Sequence, residues 1–236
     1  MTMPTHAMVL AAGKGLRMRP LTEHTPKPLI PVAGRSMLDR AFDRLDEARV
    51  PHRVVNAHWL GDQIAAHLAN HPGVVISHED LLLETGGGVA FALPLLGPSA
   101  FFVCNADIIW IDGARPALQR LAEHWDDARM DALLLLQPVG NAFGYDGAGD
   151  FATDATGRLH RRGGDARVPF VFTGVQILHP RLFAGAAKGA FSLNILYDRA
   201  QAAGRLFGLA HDGDWLHIGT PEMLIAAEAR LAARKG

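Results

Sequence analysis

Leu10-Ala-Ala-Gly-Lys-Gly-Leu-Arg-Met-Arg-Pro-Leu-Thr-Glu-His-Thr-Pro-Lys-Pro-Leu-Ile-Pro-Val-Ala-Gly34 reads as a long loop dense in glycine, proline and basic residues. The apolar run leading into it, His6 to Ala12, reads as a buried strand that ends in a glycine-rich turn. Gly13 and Gly15 can take positive φ, so the main-chain N–H groups of the turn can approach phosphate oxygens. Lys14, Arg17, Arg19 and Lys27 supply cations along the same loop, and Glu23 is the single acid among them. Pro20, Pro26, Pro28 and Pro31 fix φ and remove donors, which makes the connection stiff. Two other glycine motifs are excluded. No Gly-Lys-Ser/Thr follows at Walker spacing, and the third glycine of a dinucleotide fingerprint is missing, with Pro20 arriving at once.

Working outward, the strand-then-helix pattern repeats. Ser36 can cap a helix with Met37, Leu38, Ala41, Leu45 and Ala48 on one face. Strands are expected at Arg53–Asn56, Val74–Ser77, Phe101–Asn105 and Leu133–Gln137, with a helix over Leu60–Leu68 and an apolar helix over Val89–Leu93. From Gly140 to Gly164 the apolar pattern weakens into loops and a hairpin. Val168–Leu178 returns as a strand broken at Thr173-Gly174. After it come a helix over Leu193–Ala203, a strand over Leu206–Ala210, and a closing helix over Pro221–Ala233 capped by Thr220. Alternating strands and helices imply a parallel sheet covered on both faces, with ligands gathering beyond the carboxyl ends of the strands.

The 236 residues and 49% hydrophobic content suit one large α/β domain spanning 1–236. A net charge of −1 and a pI near 6.9 argue against a nucleic-acid or membrane-surface protein. Cys104 is the one cysteine and sits in an apolar run, so it reads as a reduced core residue of a cytoplasmic protein. No apolar run approaches the ~20 residues of a membrane span. Oligomeric state is not readable.

The pattern Gly13-x-Gly15-x-Arg17-x-x-Pro20-Leu21-Thr22, followed by Pro26-Lys27-Pro28, resembles the signature of the sugar-1-phosphate nucleotidyltransferases. That resemblance implies a Rossmann-like three-layer α/β/α domain with a mixed, mainly parallel central sheet. Its nucleotide-binding part would span about 1–138 and its sugar-binding part about 139–220. The partners implied are a nucleoside triphosphate and a sugar 1-phosphate, with Mg²⁺, or Mn²⁺, as cofactor. Arg17 would meet the leaving pyrophosphate and Lys27 the reacting phosphates. Leu10, Ala11, Ala12, Gly13, Lys14 and Gly15 would line the nucleotide.

On position alone, Asp107 at the end of an apolar strand is either a metal ligand or a helix cap. In the family, an acid in this Asn105-Ala106-Asp107 step holds Mg²⁺. Glu84-Thr-Gly-Gly-Gly88 is by itself either a flexible turn or a glycine-lined base wall with free N–H groups. The resemblance puts Glu84, Thr85, Gly86 and Gly87 with Asn105 around the nucleotide. Near the end, Asp214-Trp215-Leu-His217-Ile-Gly219-Thr220-Pro221-Glu222 matches a family step whose Asp is a second metal ligand. That place is His217 here, a possible ligand or a hydrogen-bonding residue. Thr173, Gly174, Ser192 and Asn194 fall at sugar-side places. The family's Glu-Lys-Pro is missing, leaving Arg161 and Arg162 as the nearest cations.

Compact length and the Glu-Thr-Gly-Gly-Gly step look most like family members of cell-wall recycling that use UTP and N-acetylmuramate 1-phosphate. Guanylyl transfer to mannose or heptose 1-phosphate and thymidylyl transfer to glucose 1-phosphate are the alternatives. So is a catalytically weak, nucleotide-sugar-sensing subunit.

Overall fold

The computed structural model describes residues 3–234. In chain order the elements open with β1 (His6–Leu10), a long loop, β2 (Pro31–Val32), β3 (Arg35–Ser36), α1 (Met37–Glu47), β4 (His52–Ala57), α2 (Gly61–Leu68) and β5 (Val74–His78). Next come α3 (Glu84–Leu96), β6 (Phe101–Asn105), β7 (Ile108–Ile111), α4 (Ala117–His124), β8 (Ala132–Pro138) and β9 (Ala142–Phe143). The chain closes with β10 (Phe151–Thr153), β11 (Leu159–Arg161), β12 (Phe170–Leu178), α5 (Asn194–Ala202), β13 (Leu206–Ala210), β14 (Asp214–His217) and α6 (Pro221–Ala233).

Among the described residues the central sheet has nine strands. On one side β5, β4, β1 and β6 are all parallel. Antiparallel β12 then runs between β6 and β8, and β13 lies parallel to β8. The hairpin β10–β11 attaches to the start of β12. The expected break in this strand is real: the β12–β8 register shifts between Phe172 and Gln176, with Gly174 at φ +88. Successive side chains of the inner strands alternate between the two faces. Ala7, Val9, Val55 and Phe102 join a core with Phe42, Leu45, Ile64 and Leu121 of α1, α2 and α4. Met8, Val54, Phe101 and Val103 join Val89, Leu96, Leu196 and Tyr197 of α3 and α5. This is the Rossmann-like three-layer arrangement with a mixed sheet that the resemblance implied.

Caps behave as expected. Ser36 accepts from the Asp39 N–H at the start of α1, and Thr220 accepts from the Met223 N–H at the start of α6. One boundary differs: α3 begins at Glu84, so the three glycines lie inside its first turns and not ahead of them. Packing explains them. A Cβ at Gly86 would enter the Phe191 ring, one at Gly87 would meet the Gly189 carbonyl, and one at Gly88 would sit 2.7 Å from Glu79 Oε1.

Sequence periodicity did not foresee the small sheet β7–β14–β9, in which β14 pairs antiparallel with β7 and His217 faces Ile108. That register carries the C-terminal segment back to the end of β6. No helix among the described residues is long and apolar enough to cross a membrane.

Candidate active site

A cleft of about 680 Å³ opens beyond the carboxyl ends of β1 and β6, where the parallel half of the sheet presents its loops. Leu10, Ala11, Ala12, Gly13, Lys14, Gly15, Arg17 and Lys27 line one side. Glu84, Thr85, Asn105, Asp107, Ser192 and Gly219 line the rest, together with Asn56 and Leu82.

The loop is shaped by its own residues. Gly15 sits at φ +60, where an added Cβ would lie 2.9 Å from Thr22 Cγ2, and the Thr22 hydroxyl donates to the Gly15 carbonyl at 2.9 Å. The turn before α2 and the first turn of that helix hold it from behind: Trp59 Nε1 donates to Thr22 O at 3.1 Å and Gln63 Nε2 to His24 O at 2.9 Å. Neither brace is signalled by a motif. No atom stands within 4 Å of a Cβ placed on Gly13, so its backbone is open to the cleft.

Lys27 is only 6% exposed and donates to Asp107 Oδ2 at 2.8 Å. Burial pushes the Asp107 carboxyl up, but the charge and hydrogen bond of Lys27, then His217 and Arg17, hold it below the usual carboxylate value. His217 is pulled down from 6.5, first by burial and then by Lys27 and Arg17, against the upward pull of Asp107. Its ring is therefore neutral at pH 7 and can offer a lone pair. Gly219 makes room here, since a Cβ would stand 3.0 Å from His217 Nε2 and 3.5 Å from Arg17 Nη1. Arg17, Lys27, Asp107 and His217 thus converge, from β14, the β6–β7 turn and the glycine loop.

Among the described residues no cluster of three or more metal-ligating side chains forms. An anionic oxygen with a neutral imidazole fits an ion that takes the remainder of its shell from phosphate oxygens and water.

Other candidate residues fall differently. Gly86 and Gly87 do not offer free N–H groups to a base, because both donate to the Phe191 carbonyl, at 2.8 and 3.0 Å. Thr85 keeps its place on the cleft wall while its hydroxyl accepts from Leu193 N at 3.0 Å. Thr173 is fully buried: its hydroxyl donates to Leu135 O at 2.8 Å and accepts from Val175 N, so its side chain cannot face a sugar. Its strand neighbour Gly174 lies against Asn105, whose Nδ2 would be 2.8 Å from an added Cβ.

Asn194, Arg161 and Arg162 line a separate depression with Asp150, Asp198 and Gln201. There Arg161 pairs with Asp198 at 3.1 Å, and Arg162 Nε donates to Gly149 O at 3.1 Å. Cys104 is buried in β6 with its thiol pushed up to about 12, so it is inert at neutral pH. The polar side chain of the cleft that the sequence did not single out is Asn56, buried at the carboxyl end of β4. A polar residue closing an apolar parallel strand was the available signal.

Residues 7–144 match the model of the MobA-like NTP transferase domain. The chain is 44% identical to the N-acetylmuramate alpha-1-phosphate uridylyltransferase of Caulobacter vibrioides, over 97% of this chain and 98% of that one. It is 36% identical to the protein of the same name from Neisseria meningitidis serogroup B, over 97% and 99%. A solved UDP-glucose pyrophosphorylase complexed with UDP-glucose superposes with a TM-score of 0.79 at 16% identity, covering 97% of this chain and 98% of that one. A putative glucose-1-phosphate thymidylyltransferase from Bacillus anthracis superposes at 0.78 and 19% identity, covering 95% and 94%.

Proposed function

The chain belongs to the MobA-like NTP transferases and is a sugar-1-phosphate nucleotidyltransferase, and from that premise we propose that it joins UTP to N-acetylmuramate 1-phosphate. A phosphate oxygen of the sugar phosphate attacks the α-phosphorus of UTP. The bond from that phosphorus to the α–β bridging oxygen breaks, and pyrophosphate leaves with the bond's electron pair. The nucleophile is already an anion, so no general base is required.

What the protein supplies is alignment and charge neutralisation. The loop amides from Ala12 to Gly15 cradle the triphosphate, Arg17 meets the departing pyrophosphate, and Lys27 faces the reacting phosphates. Lys27 is pinned by Asp107, so its charge is held in place before substrate arrives. Asp107 and His217 would hold the divalent ion, Mg²⁺ or Mn²⁺, whose positive charge supplies further stabilisation of the phosphates when it is bound. Ser192 and Gly174 lie on the acceptor side.

The observation that carries the substrate reading is full-length similarity to two uridylyltransferases of that name, joined to a cleft built as the chemistry requires. Pyrophosphate release tests it directly. UTP, dTTP, CTP and GTP are each paired with the 1-phosphates of N-acetylmuramate, N-acetylglucosamine, glucose and mannose. UTP with N-acetylmuramate 1-phosphate should exceed every other pair in kcat/KM by at least about tenfold, a gap of about 1.4 kcal/mol. A GTP or dTTP preference overturns the base, and equal use of N-acetylglucosamine 1-phosphate overturns the sugar.

A further inference from the structure

Behind the cleft lies a buried carboxylate that no step of the reaction uses. Glu79 follows β5 and is 5% exposed, and none of the protein's ion pairs includes it among the described residues. Both its oxygens are nevertheless taken: Asn56 Nδ2 donates to Oε1 at 2.7 Å, and the Leu83 N–H donates to Oε2 at 3.0 Å. Asn56 in turn accepts from the Ala11 N–H at 2.7 Å. Three hydrogen bonds therefore run in one line, from Ala11 at the end of β1, through Asn56 and Glu79, to Leu83.

The two ends of that line are the two walls of the cleft. Ala11 opens the glycine loop, while Leu83 stands between cleft residues Leu82 and Glu84 at the point where the chain turns into α3. Glu84 holds φ +58 there, a left-handed conformation that a side-chain-bearing residue adopts only under constraint from its surroundings. The main chain of Glu79 is fixed as well, its N–H donating to Ala57 O at 2.9 Å and its carbonyl meeting His58 Nδ1 at 2.9 Å. From α3, Gly88 leaves room for the pair, since a Cβ there would stand 2.7 Å from Glu79 Oε1 and 3.0 Å from Asn56 Nδ2. Among the described residues no cation pairs with this buried carboxyl group. Such burial is costly unless both oxygens accept hydrogen bonds, which sets the pair apart from ordinary core packing.

We propose that Asn56 and Glu79 are a positioning pair that sets the width of the nucleoside-binding end of the cleft by tying the Ala11 wall to the Leu82–Thr85 wall. This rests on the reading that a nucleoside triphosphate lies between those walls. The pair touches no reacting atom; it acts through the two backbone segments that would flank the base.

Exchange of polarity tests it. Glu79→Gln places an amide NH₂ against a donor, either Asn56 Nδ2 or the Leu83 N–H. Asn56→Asp sets two carboxylates face to face. In Asn56→Asp/Glu79→Gln every bond can re-form, with Asp accepting from Ala11 N–H and from the Gln amide, and the Gln oxygen accepting from Leu83 N–H.

Each single variant should raise KM for UTP by about tenfold or more, the loss expected from one broken buried hydrogen bond. KM for the sugar phosphate and kcat should stay within about threefold of the parent, and the double variant should return KM for UTP to within about threefold. If either single variant fails to fold, Gly88→Ala pushes on the same pair from the helix side and should show the same selective rise. The proposal is overturned by singles that lower Tm without moving KM for UTP, by equal changes in both KM values, or by a double variant no better than the singles. A wild-type protein that turns over no nucleoside triphosphate overturns instead the reading on which the pair's role rests.

Discussion

The glycine loop after β1 and the hairpin at the sheet's edge treat positive charge in opposite ways. On the loop side, Arg17 and Lys27 lean into one cleft, with Lys27 docked on Asp107 and the loop braced from behind by Trp59 and Gln63. On the hairpin side, Arg161 is answered by Asp198 and by the Asn194 carbonyl, and Arg162 by the Gly149 carbonyl. Charges on the first side are held ready for a ligand; those on the second are largely spent on holding β11 to α5 and to the preceding turn. A triphosphate must be gripped at fixed points along its length, which forces a long, stiff, motif-dense loop, whereas a sugar can be held from many directions.

The largest expected effect separates the two sides by charge. Lys27→Met and Arg17→Ala should each lower kcat by at least about 100-fold, because each removes charge stabilisation that grows in the transition state. Arg161→Ala should cost no more than about tenfold, since an exposed ion pair contributes about 1 kcal/mol or less. Steady-state kinetics on variants with parental circular dichroism checks this. Equal losses on both sides would break the comparison.

The second prediction concerns the seam. Segment Gly189–Leu193, on the way into α5, docks on the first turns of α3 through the Phe191 carbonyl and ring and through Thr85. Gly86→Ala forces a methyl into the Phe191 ring and should destabilise the protein by about 2–3 kcal/mol in urea unfolding, as overpacking of a filled core does. In an exposed helix the same change would stabilise. An unchanged urea midpoint would mean that the seam yields easily.

How much could be read in advance follows the same division. The loop's stiffness, the parallel strands and both capped helices were legible, because each is fixed by local chemistry: Gly15 at positive φ, prolines, a Ser or Thr at the cap, and apolar alternation. His217 could be placed only by resemblance, and its approach to Asp107 depends on the β14–β7 pairing, a long-range contact with no local signature. The glycine run left a flexible turn and a free-amide wall both open for a related reason. Gly86 and Gly87 look like ligand-binding glycines, but the carbonyl that takes their N–H groups belongs to Phe191, far along the chain. Thr173 was assigned to the sugar by resemblance, whereas its hydroxyl is bound inside the sheet by Leu135 O and Val175 N, at the break in the strand register.

A smaller effect sharpens that last correction. Thr173→Val removes the hydroxyl that bonds Leu135 O and Val175 N, leaving a buried carbonyl and amide short of a partner. Stability should fall by about 1–3 kcal/mol. KM for the sugar phosphate should stay within about twofold. A large rise in that KM with unchanged stability would return Thr173 to the acceptor site.

The smallest effect lies in His211, where the chain leaves β13 and turns into β14, the strand that returns His217 to the cleft. The ring is 3% exposed, its Nε2 lies 3.1 Å from Ile111 O and 3.3 Å from Asp214 O, and its Nδ1 is buried without a partner. Two carbonyls at Nε2 make that nitrogen the protonated one, so a second proton at Nδ1 would be a buried donor facing no acceptor. Burial accordingly pulls the His211 pKa below 6.5; Asp112, the Ile111 carbonyl and Asp212 act upward, and Arg120 acts downward. The unfolded chain then binds more protons than the folded one in the window just below 6.5. Stability from this residue is complete above pH 6.5 and drains away as pH falls from 6.5 through the lower folded value, with a slope of at most about 1.4 kcal/mol per pH unit. His6, His179 and His217 are shifted in the same direction, so the wild-type curve alone cannot isolate it. His211→Gln keeps an N–H donor near Ile111 O and Asp214 O but does not titrate. Between pH 7.5 and 5.5 it should lose less urea stability than the wild type, and two parallel curves would show that the His211 ring finds an acceptor for its second proton after all.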